Sequence, residues 1–322
     1  MKKLFLFLLT ITLIFNCFIG CNENQTLTLY TPDGAPALAI APAINKGFEN
    51  IEFNVVDSQT IGTFVTGESP KADICVLPIN MASNLIGNSD SYKLLGTLTH
   101  GNFYFLSKSN SVISSENLQD LVGLTIGVIQ LKNIPGLTFK SVLLENEIAY
   151  TEVTSTTDTF DNKVNLIGIS ATEIGRDDID LFLVPSPQAD IKAKALNLNF
   201  VGSLQTLYGE NGFPQAVIVA KSSVVKNNQK LINEFITSLN DTENFYTESN
   251  IQNICSLIES KLSSGLTPVF NSKNLTVKMI ENSSIKFVKS SLCKEEIISF
   301  IAKIQKVDET SVKTFSDNFF NL

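Results

Sequence analysis

Ala72-Asp73-Ile74-Cys75-Val76-Leu77-Pro78 and Ile179-Asp180-Leu181-Phe182-Leu183-Val184-Pro185 decide the reading of the fold. Each is an Asp leading an unbroken apolar run that stops at Pro. Such runs fit strands covered on both faces, as in parallel sheets, where no alternation with water is needed. Each is followed by a loop and a helix-forming segment. Two copies in one chain point to two α/β lobes of related plan.

Working outward from the first run, Thr26 to Tyr30 and Ile51 to Val56 alternate as strands do. Pro36 suits the first turn of a helix through Ala37 to Asn45, with Gly47 as its stop. Ser58 to Val65 and Met81 to Ile86 are read as helices. Tyr92 to Ser107 is a long strand-like run interrupted at Thr99-His100-Gly101-Asn102. The pattern then restarts: a short helix from Ser115 to Gly123, a strand at Thr125 to Ile129, and a helix from Pro135 to about Asn146. Lys163 to Ile169 leads to Ser170, a plausible N-cap. After the second run, Gln188 to Ala195 is helical. Phe213 to Ala220 is β-rich and returns the chain to the first lobe. The remainder reads as helices at Val224 to Leu239, Asn250 to Leu262, Asn271 to Ile280, Lys294 to Ile304 and Asp308 to Phe319. Strands alternating with helices define an α/β class with mostly parallel sheets.

The 322 residues correspond to about two domains at ~100–200 residues each. With 43% hydrophobic and 17% charged residues, disorder is not the default. Lys plus Arg is 24 against Asp plus Glu at 32, a formal charge of -8. A surface of that sign does not attract nucleic acid, and no nucleic-acid partner is expected. One His and five Cys are too few for a His-rich metal site or a disulfide scaffold, so no metal and no cofactor are expected. Cys75 is read as a buried thiol, while Cys255 and Cys293 could pair or stay free. Walker-type, Gly-x-Gly-x-x-Gly, His-Glu-x-x-His and Gly-x-Ser-x-Gly patterns are all absent. The Asp177-Asp178-x-Asp180 cluster lacks the Gly and Glu of a calcium loop and is read as a solvated turn.

The first residues read as an export signal. Lys2 and Lys3 precede an apolar stretch, Leu4 to Phe15, that is short for a membrane span. Phe18-Ile19-Gly20-Cys21 resembles a bacterial lipobox, with Phe18 departing from the usual Leu. The resemblance implies cleavage after residue 20 and lipidation of Cys21, with 21–26 as a tether and the membrane as a partner through the anchor.

In open α/β sheets, ligands bind beyond the carboxyl ends of the strands. The loops there are Thr31 to Pro36, Pro78 to Ser83, Gln130 to Thr138, Ser170 to Glu173 and Pro185 to Gln188, rich in hydroxyl, amide and Pro residues. Several run into helices, whose first N–H groups are free to meet an acceptor. Taken singly, each loop fits ordinary capping; their number and shared position point to a binding cleft. The loops contain no Arg, and Arg176 nearby is read as facing solvent. That favours a small neutral or weakly charged organic molecule, with a ring as the expected form.

From Leu27 to Lys221 the chain resembles the solute-binding lipoproteins of ABC importers, of the nitrate/sulfonate/taurine and thiamine-pyrimidine-synthase-like type. Thr31-Pro32-Asp33-Gly34-Ala35-Pro36-Ala37-Leu38-Ala39 is similar to the first ligand loop of that family. Ala72 to Ala82 is similar to its third strand and following loop. Gly101-Asn102-Phe103-Tyr104 and Asn211-Gly212-Phe213-Pro214-Gln215-Ala216 lie where it crosses between lobes. Pro135 to Lys140 and Ala171-Thr172-Glu173 fit helix starts of its second lobe. The resemblance implies the type II periplasmic-binding fold, with 27–106 plus 217–322 as lobe 1 and 107–216 as lobe 2. It implies capture of a ligand by hinge closure, with hinges near Phe105 to Lys108 and Pro214 to Val217. The implied partners are a small-molecule ligand and an ABC permease with its ATPase, the binding protein itself being a monomer rather than an enzyme.

The ligand contacts expected from loops and resemblance together are Thr31, Asp33, Gly34, Ala35, Asn80, Met81, His100, Asn102, Tyr104, Gln130, Thr138, Thr172, Glu173, Ser186, Gln188 and Phe213. Phe64, Phe103 and Tyr208 join His100, Tyr104 and Phe213 as rings that could stack on a ligand or simply pack. Ser186 stands where many members of the family have Glu. The Cys-rich motif of the yeast-type pyrimidine synthases is absent. An enzyme on the same fold, or a ligand-sensing surface lipoprotein, are the alternative readings.

Overall fold

The computed structural model describes residues 26–240, 242 and 244–321. The residues read as an export signal, a lipidated Cys21 and a tether lie, up to residue 25, outside the described residues.

The chain builds one sheet, crosses to a second, and returns. The first stretch holds β1 (Leu27–Pro32), α1 (Ala35–Lys46), β2 (Ile51–Val56), β3 (Ile74–Pro78), α2 (Ile79–Leu85) and β4 (Tyr92–Thr99). The second holds β5 (Phe103–Ser107), β6 (Thr125–Ile129), α3 (Ile134–Glu145), β7 (Tyr150–Glu152), β8 (Val164–Ile169), β9 (Leu181–Pro185), α4 (Gln188–Leu196), β10 (Asn199–Ser203) and α5 (Leu204–Tyr208). The return adds β11 (Ala216–Lys221), α6 (Ser222–Asn227), α7 (Gln229–Leu239), α8 (Ile251–Glu259), α9 (Val277–Asn282), β12 (Ile285–Lys289), α10 (Ser290–Val307) and α11 (Asp317–Phe320).

The strand order is β12-β4-β11-β3-β1-β2 in one sheet and β10-β5-β9-β6-β8-β7 in the other. Most strands of each sheet run the same way; β11 and β12 oppose their neighbours in the first and β5 in the second. The quartets β11-β3-β1-β2 and β5-β9-β6-β8 match in direction and order. In both, the reversed strand comes from chain that has just crossed over.

The two quoted runs are β3 and β9, and their leading Asp residues do the same work. Asp73 Oδ2 accepts the Thr28 N–H at 3.0 Å, and the Asp73 N–H donates to Thr28 O at 3.0 Å. Asp180 Oδ2 accepts the Thr125 N–H at 2.8 Å, and the Asp180 N–H donates to Thr125 O at 3.0 Å. Each carboxylate thus satisfies a backbone donor at the start of the neighbouring strand, just ahead of the ladder between the two strands. Asp73 also pairs with Lys221 at 3.0 Å.

Several boundaries differ from the sequence reading. β5 pairs with β9 and β10, so residues 103–106 sit in the second sheet and the crossing falls at His100–Asn102. The same shift places Phe105 to Lys108, read as a hinge, at the end of a ladder-bonded strand. Ser58 to Val65 forms only a 3₁₀ turn at Ile61–Phe64. Asn271 to Ile280 is helical only from Val277, and Asp308 to Phe319 only from Asp317. Cys75, Cys255 and Cys293 are all buried and free.

One buried cluster runs through both lobes, including Leu77, Phe103, Phe105, Phe139, Phe213 and Phe300. Phe300, on α10, stacks on Phe213 with ring centres 5.8 Å apart. Lys303 of α10 pairs with Glu145 of α3 at 2.9 Å and lies over the Tyr208 ring. The last long helix therefore straps the second lobe to the first, whereas the sequence reading gave 217–322 wholly to lobe 1.

Candidate functional site: a cleft between the sheets

The carboxyl ends of β1, β2, β3 and β6 and the two crossings meet around a cleft of about 320 Å³. From the first lobe come Pro32, Asp33, Pro36, Ser58, Gln59, Pro78, Asn80, Met81, Thr99, Gln215 and Ala216; from the second come Phe103, Gln130, Asn133, Ile134 and Pro135. The walls are amide, hydroxyl and apolar groups. Among the described residues lining it, Asp33 is the one charged side chain.

Local sequence explains the placement. Gly34 has φ +96°, which lets the chain turn from β1 straight into α1 and leaves Asp33 at the rim. Asp33 Oδ1 accepts the Gly34 N–H and Oδ2 the Val269 N–H, each at 2.7 Å. Burial pushes its carboxyl above the ordinary range, against those two donors. Gln130 adopts φ +59° just after β6, and Asn133 occupies the N-cap position of α3 with its side chain making no capping bond. Both α1 and α3 carry Pro in their first turn, Pro36 and Pro135, and both Pro rings line the cleft.

Behind Gln215 runs a chain of amides. Asn102 Nδ2 donates to Ser186 O at 3.0 Å, and Gln215 Nε2 donates to Asn102 Oδ1 at 3.0 Å. Gln215 Oε1 is buried with no partner. Backbone bonds tie the same place together: Gln215 N–H to Thr99 O, Ile79 N–H to Gln215 O, and Ser186 N–H to Asn102 O.

No protein-family model and no curated protein matches the sequence. Solved structures do. The chain is similar to an ABC transporter structure from Parabacteroides distasonis, at 17% identity over 92% of this chain and 99% of that one, with a TM-score of 0.67. It is similar to the periplasmic aliphatic sulphonate binding protein SsuA from Escherichia coli, at 11% identity over 89% of each chain, TM-score 0.58. A third is the ligand-binding component of an ABC-type import system from Staphylococcus aureus, solved with zinc, at 8% identity over 92% of this chain and 96% of that one, TM-score 0.57. The chain has the two-lobed periplasmic-binding-protein fold.

Within that periplasmic-binding fold, the cleft brings together four of the expected contacts: Asp33, Asn80, Met81 and Gln130. Gly34 and buried Ala35 form the turn behind Asp33, and Thr31 is fully buried beneath it. Glu173 lines a second, more open hollow of about 710 Å³, which shares Gln130 and Asn133 with the cleft. There Glu173 completes a capping box with Ser170 and pairs with Arg176 at 2.9 Å, while Thr172 bonds Ser170 through its hydroxyl. Arg176, read as solvent-facing, is half-exposed and also grips Asp178.

The other expected contacts do not line the cleft. His100 lies behind the crossing: Nε2 is 3.0 Å from Lys286 O and 3.2 Å from Thr97 Oγ1. Tyr104 donates its hydroxyl to Asn282 O at 3.1 Å, and burial pushes it up to about 12. Thr138 is buried inside α3. Ser186 donates to Asp190 at 2.6 Å, and Gln188 merely opens α4. Phe213 is core, Phe64 stacks on Tyr30, and Tyr208 packs on Phe213 and Phe300. Asn102 does not line the cleft but bonds Ser186 O and Gln215 between the two crossings. Gln59, Ser58, Asn133, Gln215 and Thr99 line the cleft without having been singled out. The strand-end rule would have found Gln59 and Ser58, which follow β2, had the segment not been read as helix.

Proposed function

We propose that the protein is an extracytoplasmic lipoprotein that captures a small organic molecule between its lobes and delivers it to an ABC permease and its ATPase. The observation that carries this reading is a cleft walled by both lobes, directly beside the two chain crossings. A ligand touching both walls favours the closed arrangement over the open one, and a transporter can read that difference. The importer proteins of similar fold support the same reading. The lipobox-like Gly20-Cys21 supports anchoring, since acyl chains contribute about 0.8 kcal/mol per buried CH₂. Among the described residues, no helix is long and apolar enough to cross a membrane. The protein acts as a monomer and binds rather than converts its ligand. Burial raises all three described thiols, Cys293 to about 11, which disfavours a cysteine nucleophile.

Thermal unfolding of the full chain in mild detergent tests this, against thiamine precursors, flavins, taurine, alkanesulfonates, nitrate and bicarbonate. A ligand at ~100 times its Kd adds about 2.7 kcal/mol, a shift of several degrees. Turnover of a bound compound would instead establish the enzyme reading. Cys21→Ser should move the protein from the membrane to the soluble extracytoplasmic fraction; retention at the membrane would remove the anchor from the proposal.

A further inference from the structure

Of the second-lobe residues that line the cleft, all but Phe103 fall within 130–135. That wall is therefore one short segment, running from β6 into the first turn of α3, and whatever fixes the segment fixes the wall. Its geometry is tight. Gln130 has φ +59°, and the Asn133 N–H closes a turn onto Gln130 O at 2.9 Å. The Leu131 peptide lies hard against α3, since a Cβ on Gly136 would stand 2.0 Å from Leu131 O.

Pro135 has no N–H to offer that carbonyl. Lys140 supplies a donor instead: its Nζ reaches back along α3 and bonds Leu131 O at 3.3 Å and Glu152 at the end of β7. Lys140 is 3% exposed, and among the described residues it is the one Lys, Arg, Asp or Glu that is buried. Glu152 keeps the charge paired, and exposed Lys132 meets the other oxygen of Glu152. Burying an ammonium group costs free energy, and the start of a helix is the end that repels a cation. Stability alone gives no reason for lysine at this place, because methionine would fill similar space without either cost. What methionine could not do is hold the Leu131 carbonyl.

We propose that Lys140 is a positioning residue for ligand capture: by gripping Leu131 O, with Glu152 as its counter-ion, it sets the 130–135 wall before a ligand arrives. A wall already ordered spares the ligand the cost of ordering it. The inference rests on the capture reading above and names what prepares the second-lobe half of that cleft.

Hydrogen exchange and binding, both on the full chain in mild detergent, test it. The main variant combines Lys140→Met with Glu152→Gln, which removes the buried pair and leaves no lone charge. Such replacements are often neutral or stabilising, so the melting temperature should hold. Exchange across residues 130–135 should nonetheless quicken at least ~10-fold, with β8 unchanged. Binding is read by calorimetric titration with riboflavin, taurine, ethanesulfonate and nitrate. It is read also as the fraction of chain carrying a small molecule in native mass spectra, taken from its own cells. Any probe that binds the wild type should bind the double variant at least ~10-fold more weakly, and the carried fraction should fall. Gly136→Ala, which drives a methyl against the Leu131 carbonyl with the pair intact, should reproduce the loss of binding. Lys132→Ala cuts only the exposed end and should stay within ~2-fold of the wild type.

Unchanged exchange at 130–135, or unchanged binding in the double variant or in Gly136→Ala, overturns this inference and leaves capture standing. So does a melting temperature that falls in step with binding, the mark of a merely structural pair, or a Lys132→Ala loss as large as that of the double variant. No heat with any probe, together with no small molecule carried by the wild-type chain, overturns both.

Discussion

Asp33 holds a carboxylate half-buried at the cleft rim, its oxygens facing two backbone N–H groups. Burial lifts its pKa above the ordinary 3.8 despite those donors. A carboxyl raised in the fold stabilises while protonated. That contribution is complete below the unfolded value and is lost as pH rises through the folded one. Asp33→Asn cannot titrate, so its melting temperature should gain on the wild type as pH rises from about 3 to about 7. A constant offset across that range would mean that burial does not govern this group. Gly212 makes a second prediction. It has φ +71°, and an added Cβ would lie 2.1 Å from His100 O, where one crossing packs on the other. Gly212→Ala should cost about 1–3 kcal/mol or more, read as a lower melting temperature. At this scale the sequence was half legible. Asp33, Asn80, Met81 and Gln130 stood in strand-end loops and line the cleft. His100, Tyr104 and Phe213 drew attention for their chemistry, but their partners come from the return stretch: Lys286, Asn282 and Phe300. No local spacing reveals those contacts.

At the scale of elements, Asp73 and Asp180 were legible because a buried strand that starts with a carboxylate needs a reason. The reason is the orphan N–H of the strand beside it. Asp73→Ala and Asp180→Ala should each cost about 1–3 kcal/mol in urea unfolding, the price of a donor left without its partner. Asp73→Ala should cost more, because it also strips Lys221 of its ion pair. Equal losses would show that pair to contribute nothing. The helices that failed, Ser58 to Val65 and Asp308 to Phe319, have apolar residues but are held as turns by their own hydroxyl and carboxylate groups. Asp57 accepts the Gln59 N–H, and Asp308 the Thr310 N–H. Such side-chain bonds offer the backbone an alternative to the helix. The edge strands β7, β10 and β12 are short and half exposed, so their apolar pattern is weak.

For the whole molecule, α10 decides how the lobes communicate. Phe300 joins the buried cluster that spans both, and Lys303 reaches Glu145 and Tyr208 across the boundary. Phe300→Ala should cost about 3–5 kcal/mol and split a single calorimetric unfolding transition into two, as the lobes lose their shared packing. Lys303→Ala touches a partly exposed pair and should cost less than about 1 kcal/mol. A single transition in Phe300→Ala would mean that the crossings alone couple the lobes. The two-lobed plan was legible from the repeated runs, but this strap was not, since helical periodicity says nothing about which lobe a helix covers.

In the first sheet, β11 lies between β3 and β4. A chain emerging from the ribosome has made both neighbours long before it makes the strand that belongs between them, and the entire second lobe comes first. Pairings of such long sequence separation form slowly. Until then the edges of β3 and β4 stay open and invite holding factors or aggregation. Topology therefore works as a timer: the first sheet cannot join β3 to β4 until the whole second lobe has been synthesised.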